Sequence, residues 1–395
     1  MKYKFASRMK KVPRSFIREI LKVTTDNRII SFAGGLPNIK MIPVKGLETA
    51  CNEVLEQDGT RSMQYSTTEG YYHLRKWIAD RYVSKKHIKA GPDDILITHG
   101  SQQALDLLSK VFIDRGDHVV IEKPGYLGAI QAMSVFEPVF HAVPLGPNGI
   151  DITELERAFK KYRPGLFYAV PNFQNPSGIS YDTENRIAAA GLCKKYNVLF
   201  VEDDPYGELR FEGNDLPAVK KFAGDNGVMF GSFSKIVAPG LRLGWVFAPK
   251  PIMENLVTMK QAADLHTNYF AQRIVYQYLK NNNIDEHIEK LKKVYGVHAS
   301  AMRKSIEKYF PKGTGYTKPE GGMFIWVTLP RKLKAMDLLE LALKKKVAFV
   351  PGEPFYDGVK GVSTLRLNYS NAEPDMIEEG IKRIGTAIKS MMKNK

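Results

Sequence analysis

Between about Asp94 and Pro249, short apolar runs alternate with amphipathic stretches and tight turns, and this rhythm constrains the fold more than any other feature. The runs are DILIT (94–98), HVVIE (118–122), VFHAV (139–143), LFYAV (166–170), VLFVE (198–202), GVMFG (227–231) and GWVFA (244–248). Between several of them lie segments with helical periodicity, such as QQALDLLSKVFID and ENRIAAAGLCKKYN. Strands apolar on both faces must be covered on both, so the expected fold class is α/β, with a mostly parallel central sheet sandwiched by helices. A chain of 395 residues has room for such a domain and a smaller one. After Pro249 the pattern is helical to about Phe310. Shorter strands are expected at GGMFIWVTL (321–329), VAFVPG (347–352) and STLRLNYS (363–370), then a helix from about Glu373. The expected division is a large domain over 44–290, a small α+β domain over 291–395, and an N-terminal segment, 1–43, packing with the small domain. The boundary falls within a long helix near 285–300, so no loose linker is needed.

The formal net charge of +16 raises the possibility of a nucleic-acid partner. The lysines are scattered and often stand beside acids, as in NNNIDEHIEKLKKVYG, which describes solvated helix faces rather than a basic patch. A diffuse positive field suits small anions instead. The N-terminus MKYKFASRMKKVPRSF lacks the apolar centre of a secretory signal. No run approaches the roughly 18 apolar residues of a membrane span. Cys51 and Cys193 make neither a disulfide framework nor a metal cluster, which fits a reducing cytoplasm. The dispersed histidines show no ligand spacing, so no metal is expected.

In sheets of this kind ligands bind beyond the carboxyl ends of the strands. After DILIT comes His99-Gly100-Ser101-Gln102, which reads either as a phosphate cradle at a helix N-terminus or as a plain serine N-cap. Tyr126, after HVVIE, is placed to stack on a flat ligand ring or to pack in the core. Asn175, in PNFQNPSG, belongs to a tight turn that presents its amide to the cleft. In DDPYGELRF, a carboxylate three residues before Tyr206 reaches a buried cationic ligand atom, unless the acids only begin a surface turn.

The most informative stretch is GSFSKIVAPGLRLGWVFAP (231–249), with Lys235 seven positions ahead of Arg242. Desolvation and a neighbouring cation favour the neutral amine, the form that condenses with an aldehyde. Ser232, Ser234 and Arg242 complete a site for a doubly charged phosphate. An aldehyde, a phosphate and a ring with a basic nitrogen meet in one ligand, pyridoxal 5'-phosphate.

With these residues in place the sequence resembles the class I/II aminotransferases of the aspartate aminotransferase fold, and among them the kynurenine/2-aminoadipate group. The resemblance covers almost the whole chain. It is carried by FAGGLPN, MQYSTTEGYYHLR, THGSQQAL, PNFQNPSG, EDDPYGELRF, SFSKIVAPGLRLGW, PEGGMFIW and LRLNYS, in order. It implies a fold type I enzyme in which Lys235 carries the cofactor as a Schiff base and later shuttles a proton. Asp203, rather than Asp204, would pair with the ring nitrogen. Tyr206 and Asn175 would bond the ring's phenolate oxygen, and Tyr126 would stack on the ring. Ser101, Gln102, Ser232, Ser234 and Arg242 would surround the phosphate. The resemblance also implies a homodimer in which Tyr65 reaches the phosphate of the neighbouring subunit. Arg366 would grip the substrate carboxylate, with Asn175 and Gly35 beside it. The implied reaction moves the amino group of an aromatic, 2-aminoadipate-like or branched-chain L-amino acid to a 2-oxo acid such as 2-oxoglutarate, by a ping-pong mechanism.

Two alternatives use the same resemblance. A C–S β-lyase or decarboxylase would employ the same lysine and aspartate. A regulator domain built on the same fold would carry a winged helix ahead of it, and the roughly 35 residues before GGLPN are too few for one.

Overall fold

The computed structural model describes residues 3–10, 20, 26, 28–330 and 333–393. Much of 1–43, for which packing with the small domain is expected, therefore lies outside the described residues. The eight strands of the main sheet are β1 (Ile95–Thr98), β2 (His118–Lys123), β3 (Val139–Gly146), β4 (Gly149–Ile150), β5 (Leu166–Ala169), β6 (Leu199–Asp203), β7 (Gly227–Ser232) and β8 (Gly244–Phe247). Their spatial order is β1-β8-β7-β6-β5-β2-β3-β4. β3, β2, β5, β6 and β7 are mutually parallel. β8 runs against both β7 and β1, and the short β4 runs against β3. The central strands β5, β6 and β7 are buried along their whole length, as apolar runs covered on both faces must be.

Side chains alternate between two cores. Val120, Phe167 and Phe200 enter one core, while Ile121, Tyr168 and Val201 enter the other. The reversal at β8 has a local cause: residues 233–243 hold only the short turn Pro239–Leu241, too little chain for the helical crossover a parallel return requires. That return carries Lys235 and Arg242.

Three helices follow, Lys250–Asp264, Tyr269–Asn281 and Ile284–Tyr309. The last packs Leu291, Tyr295 and Met302 toward the apolar face of the C-terminal helix, whose Ile377, Ile381, Ile384 and Ile388 are buried at helical spacing. A four-stranded antiparallel sheet has the order Gly315–Tyr316, Phe324–Thr328, Thr364–Asn368, Val350–Pro351. The segment VAFVPG, expected as one strand, is two. Val347–Ala348 pairs in parallel with Ile30–Ser31, while Val350–Pro351 joins the four-stranded sheet. The N-terminal chain continues along this unit: Phe32 N–H donates to Ala348 O at 2.8 Å, and Asn368 N–H donates to Phe32 O at 2.9 Å. No described helix is long and apolar enough to cross a membrane.

Candidate active site

A cavity of about 340 Å³ opens beyond the carboxyl ends of β1, β5, β6 and β7. On its β1 side begins the helix Gly100–Phe112. His99, not Ser101, is the N-cap residue, and Ser101 lies inside the first turn facing the cavity. The serine-cap alternative is thereby corrected. Gly100 has φ of +72°, and a Cβ there would stand 2.8 Å from Arg242 Nη2, so the close approach of the arginine requires glycine. Gln102 also borders the cavity and donates to Gly128 O at 3.0 Å. Ser232 ends β7, and its Oγ accepts from Ser234 N–H at 3.1 Å. The helix start, two serines and Arg242 form a cationic, donor-rich wall of the kind a phosphate occupies.

Lys235 projects into the same cavity and donates from Nζ to Gly35 O at 2.8 Å. Burial pushes its amine down to about 8, and the positive charges of Arg366 and then Arg242 add to the shift. Arg242 alone is the cation legible beside the lysine in sequence; the larger charge contribution comes from Arg366.

Asp203 ends β6 and is 1% exposed. Its Oδ2 accepts the Tyr168 hydroxyl at 2.7 Å, while its Oδ1 is buried without a hydrogen-bond partner. Burial pushes this carboxyl up to about 7; the Tyr168 bond lowers it and the neighbouring Asp204 raises it. Asp204 does not line the cavity. It accepts from Asn172 Nδ2 at 2.9 Å and borders a neighbouring crevice with Trp77 and Arg81. An unpaired carboxylate oxygen aimed into a polar cavity is an acceptor waiting for a donor.

Tyr206 and Tyr126 both face the cavity, and burial is the main cause of their raised phenol pKa values, to about 12 for Tyr126. Tyr126 also packs against the core, as its second sequence reading expects. Asn175 joins two sides of the site. Its Nδ2 donates to Tyr206 Oη at 3.4 Å, and its Oδ1 accepts from Arg366 Nη1 at 2.8 Å.

Arg366 is 2% exposed, on the central strand Thr364–Asn368. Its Nη2 donates to Ala33 O at 2.8 Å, its Nε has no partner, and its guanidinium lies 4.3 Å from the Phe324 ring centroid and 5.3 Å from that of Phe355. Among the described residues no carboxylate pairs with it. A buried cation held by carbonyls and aromatic faces retains its demand for an anion.

All the residues expected at the site from sequence line this cavity except Tyr65, which is 80% exposed and packs edge-on to His266. Val170 and Pro205 also line it without having been singled out in sequence. Tyr168 and Phe324 likewise escaped notice, because aromatics in apolar runs read as core, and so did Phe355, which lies in the short turn Glu353–Phe355. The only signal was the polar tip of Tyr168 one position before the strand's end.

A desolvated amine, a donor-rich cationic wall and an orphaned carboxylate lie within one cavity, an arrangement that suits a phosphorylated aldehyde with a protonated ring. The sequence profile of aminotransferase class I and II matches residues 40–384, and the chain belongs to that family. It is an aminotransferase using pyridoxal phosphate, with the fold type I architecture. The chain is 40% identical to aromatic-amino-acid aminotransferase 1 of Thermococcus litoralis, over 96% of this chain and 92% of that one. It is 40% identical to 2-aminoadipate transaminase of Thermus thermophilus, over 97% and 96%. The solved α-aminoadipate aminotransferase of Thermus thermophilus, complexed with N-(5'-phosphopyridoxyl)-L-leucine, superposes with a TM-score of 0.93 at 39% identity, covering 99% of this chain and 98% of that one.

Proposed function

We propose that this enzyme takes amino groups from a broad set of L-amino acids, aromatic, 2-aminoadipate-like and branched-chain, and delivers them to a 2-oxo acid, 2-oxoglutarate, by a ping-pong mechanism. The observation that carries the reading is Arg366, a buried guanidinium with an unused donor at the cavity and no carboxylate partner among the described residues. Amino acid and oxo acid share a carboxylate, so one arginine serves both half-reactions. The names of the relatives support the range of donors. An absorbance scan of the cofactor-loaded enzyme against a panel of amino acids tests it. Aromatic, 2-aminoadipate and branched-chain donors should bleach the cofactor band, and added 2-oxoglutarate should restore it. Release of ammonia or carbon dioxide without an oxo-acid acceptor would instead mark a lyase or a decarboxylase.

When bound, pyridoxal phosphate supplies an aldehyde that condenses with amines and a protonated ring that draws electrons from the substrate α-carbon. The roles of the side chains follow from their chemistry. Ser101, Gln102, Ser232, Ser234 and Arg242 would hold the phosphate. Asp203 Oδ1 would accept from the ring N–H, Tyr206 and Asn175 would bond the phenolate oxygen, and Tyr126 would cover the ring. Lys235 Nζ would be the amine that holds the aldehyde and, when free, the base that takes up and gives back the substrate α-proton. Arg366 holds the substrate carboxylate beside Asn175 and the Gly35 backbone.

Arg366→Ala is expected to lose about 2–4 kcal/mol of transition-state binding, the worth of a charge-assisted contact in a closed site, read as a fall in kcat/KM for every donor. Unchanged kinetics for several amino acids would remove Arg366 from the substrate site. We further infer a homodimer in which Tyr65 serves the neighbouring phosphate, because it is exposed outside its own cavity. Sedimentation should give twice the chain mass, and Tyr65→Phe should weaken cofactor retention several-fold, near the value of one hydrogen bond, ~1 kcal/mol. The division into 44–290 and 291–395 is proposed on the helix Ile284–Tyr309 that runs between the two sheets' units. A cytoplasmic location is proposed on the two free cysteines; a periplasmic or extracellular fraction holding the native protein would contradict it.

A further inference from the structure

The side chain that orients Asp203 comes from β5. In the parallel register of β5 with β6, Tyr168 lies opposite Val201, which places Asp203 diagonally beyond it on the same face. Tyr168 is 1% exposed, and its hydroxyl is the single hydrogen-bond donor to the Asp203 carboxylate among the described residues. It engages Oδ2 alone, leaving Oδ1 for the cavity. Resting on the role of Asp203 given above, we propose that Tyr168 is a positioning residue: its hydroxyl fixes Oδ2 so that Oδ1 faces the ring nitrogen of the cofactor as an ionised acceptor.

The donor's neutrality is the point of the arrangement. A lysine or arginine at this position would orient the carboxylate equally well but would neutralise it, weakening its hold on a protonated ring. A phenol stabilises the charge and leaves it unspent. Burial and the adjacent Asp203 push the Tyr168 phenol well above its usual range, so it remains a donor across the working pH.

The other titratable groups around Asp203 do not replace it. Glu122 on β2 is occupied by Tyr181 Oη at 2.8 Å, Gln174 Nε2 at 3.0 Å and Val170 N at 3.2 Å. Asp204 is engaged by Asn172, Tyr206 by Asn175, and Lys235 by Gly35 O. Tyr126, the remaining neighbour, adds to the negative field only if ionised. No protein cation within ion-pair distance competes with the ring for Asp203 among the described residues.

The sign of the pH effect follows. Burial raises the Asp203 carboxyl and the Tyr168 bond pulls it back. Removing the bond raises the carboxyl further, so it becomes protonated at a higher pH and its preference for a protonated ring is lost there.

The test is a titration of full-length wild type and Tyr168→Phe with pyridoxal phosphate, and with its carbocyclic analogue in which C–H replaces the ring nitrogen. Binding is followed by absorbance between about pH 6 and 9. In Tyr168→Phe, pyridoxal phosphate should bind about tenfold more weakly near neutral pH. The analogue should be unaffected, and the acid limb of pyridoxal phosphate binding should move to higher pH. Equal weakening of both compounds would make Tyr168 a packing residue and overturn the inference, as would no weakening of either. Should Tyr168→Phe fail to fold, 3-fluorotyrosine at position 168 keeps the ring and strengthens the donor. It should move the acid limb to lower pH, and an unmoved limb would overturn the inference. A wild type that binds both compounds equally would instead contradict the role of Asp203 itself.

Discussion

Lys235→Ala is expected to lower turnover by at least about 10⁴-fold, since on the proposed roles both the attachment of the cofactor and the transfer of the α-proton depend on the same nitrogen. Among the described residues Lys235 is the single lysine lining the cavity, so none of their amines is placed to substitute. Cofactor should still bind through the phosphate wall, which the substitution leaves intact. The amine's pKa provides a second reading of the same residue. With Lys235 pushed down to about 8, about a tenth of it is neutral at pH 7, against less than about a thousandth of an ordinary lysine. The neutral form grows as pH rises, so capture of pyridoxal phosphate by cofactor-free protein should accelerate with pH through a midpoint near 8. A midpoint near the ordinary lysine value, about 10.4, would mean that the amine is not desolvated.

Asp203→Asn should slow loss of the substrate α-proton by about 10²- to 10⁴-fold, matching the roughly 3–5 kcal/mol that accompanies removal of one member of a buried charged pair. Asparagine has nearly the same shape and can still accept from Tyr168, so packing changes little. What disappears is the negative charge that, on the proposed role, would keep the ring nitrogen protonated. Exchange of the α-hydrogen with deuterated solvent measures that step directly. Asp204→Asn is the control. Its carboxylate bonds Asn172 and borders a different crevice, so exchange should stay near the wild-type rate. A larger loss from Asp204→Asn than from Asp203→Asn would assign the two acids the wrong way round.

What could be read in sequence divides along physical lines. β5, β6 and β7 were legible because a strand buried on both faces must be apolar throughout, and LFYAV, VLFVE and GVMFG are. Lys235, Arg242 and Asp203 were legible because charges at the ends of such strands lack a structural excuse. The reversal of β8 was not, since strand direction depends on how much chain returns and not on the strand's own residues. Nor was the division of VAFVPG, whose first half answers to Ile30–Ser31, far away in sequence. Tyr168 and Phe324 contact site residues from inside apolar runs, where function and packing call for the same residue types. The cap at Gly100–Phe112 misled for a related reason: Ser101 is a good N-cap residue, but the cap is His99, two residues earlier, ahead of Gly100 at positive φ.

Reduction of the cofactor-loaded protein with borohydride, followed by peptide mapping, asks most directly whether one particular amine holds the vitamin B6 aldehyde. A stable pyridoxyl group should appear on the peptide containing Lys235 and on no other. Its absence from that peptide in protein supplied with cofactor, or its presence on a different lysine, would contradict the account.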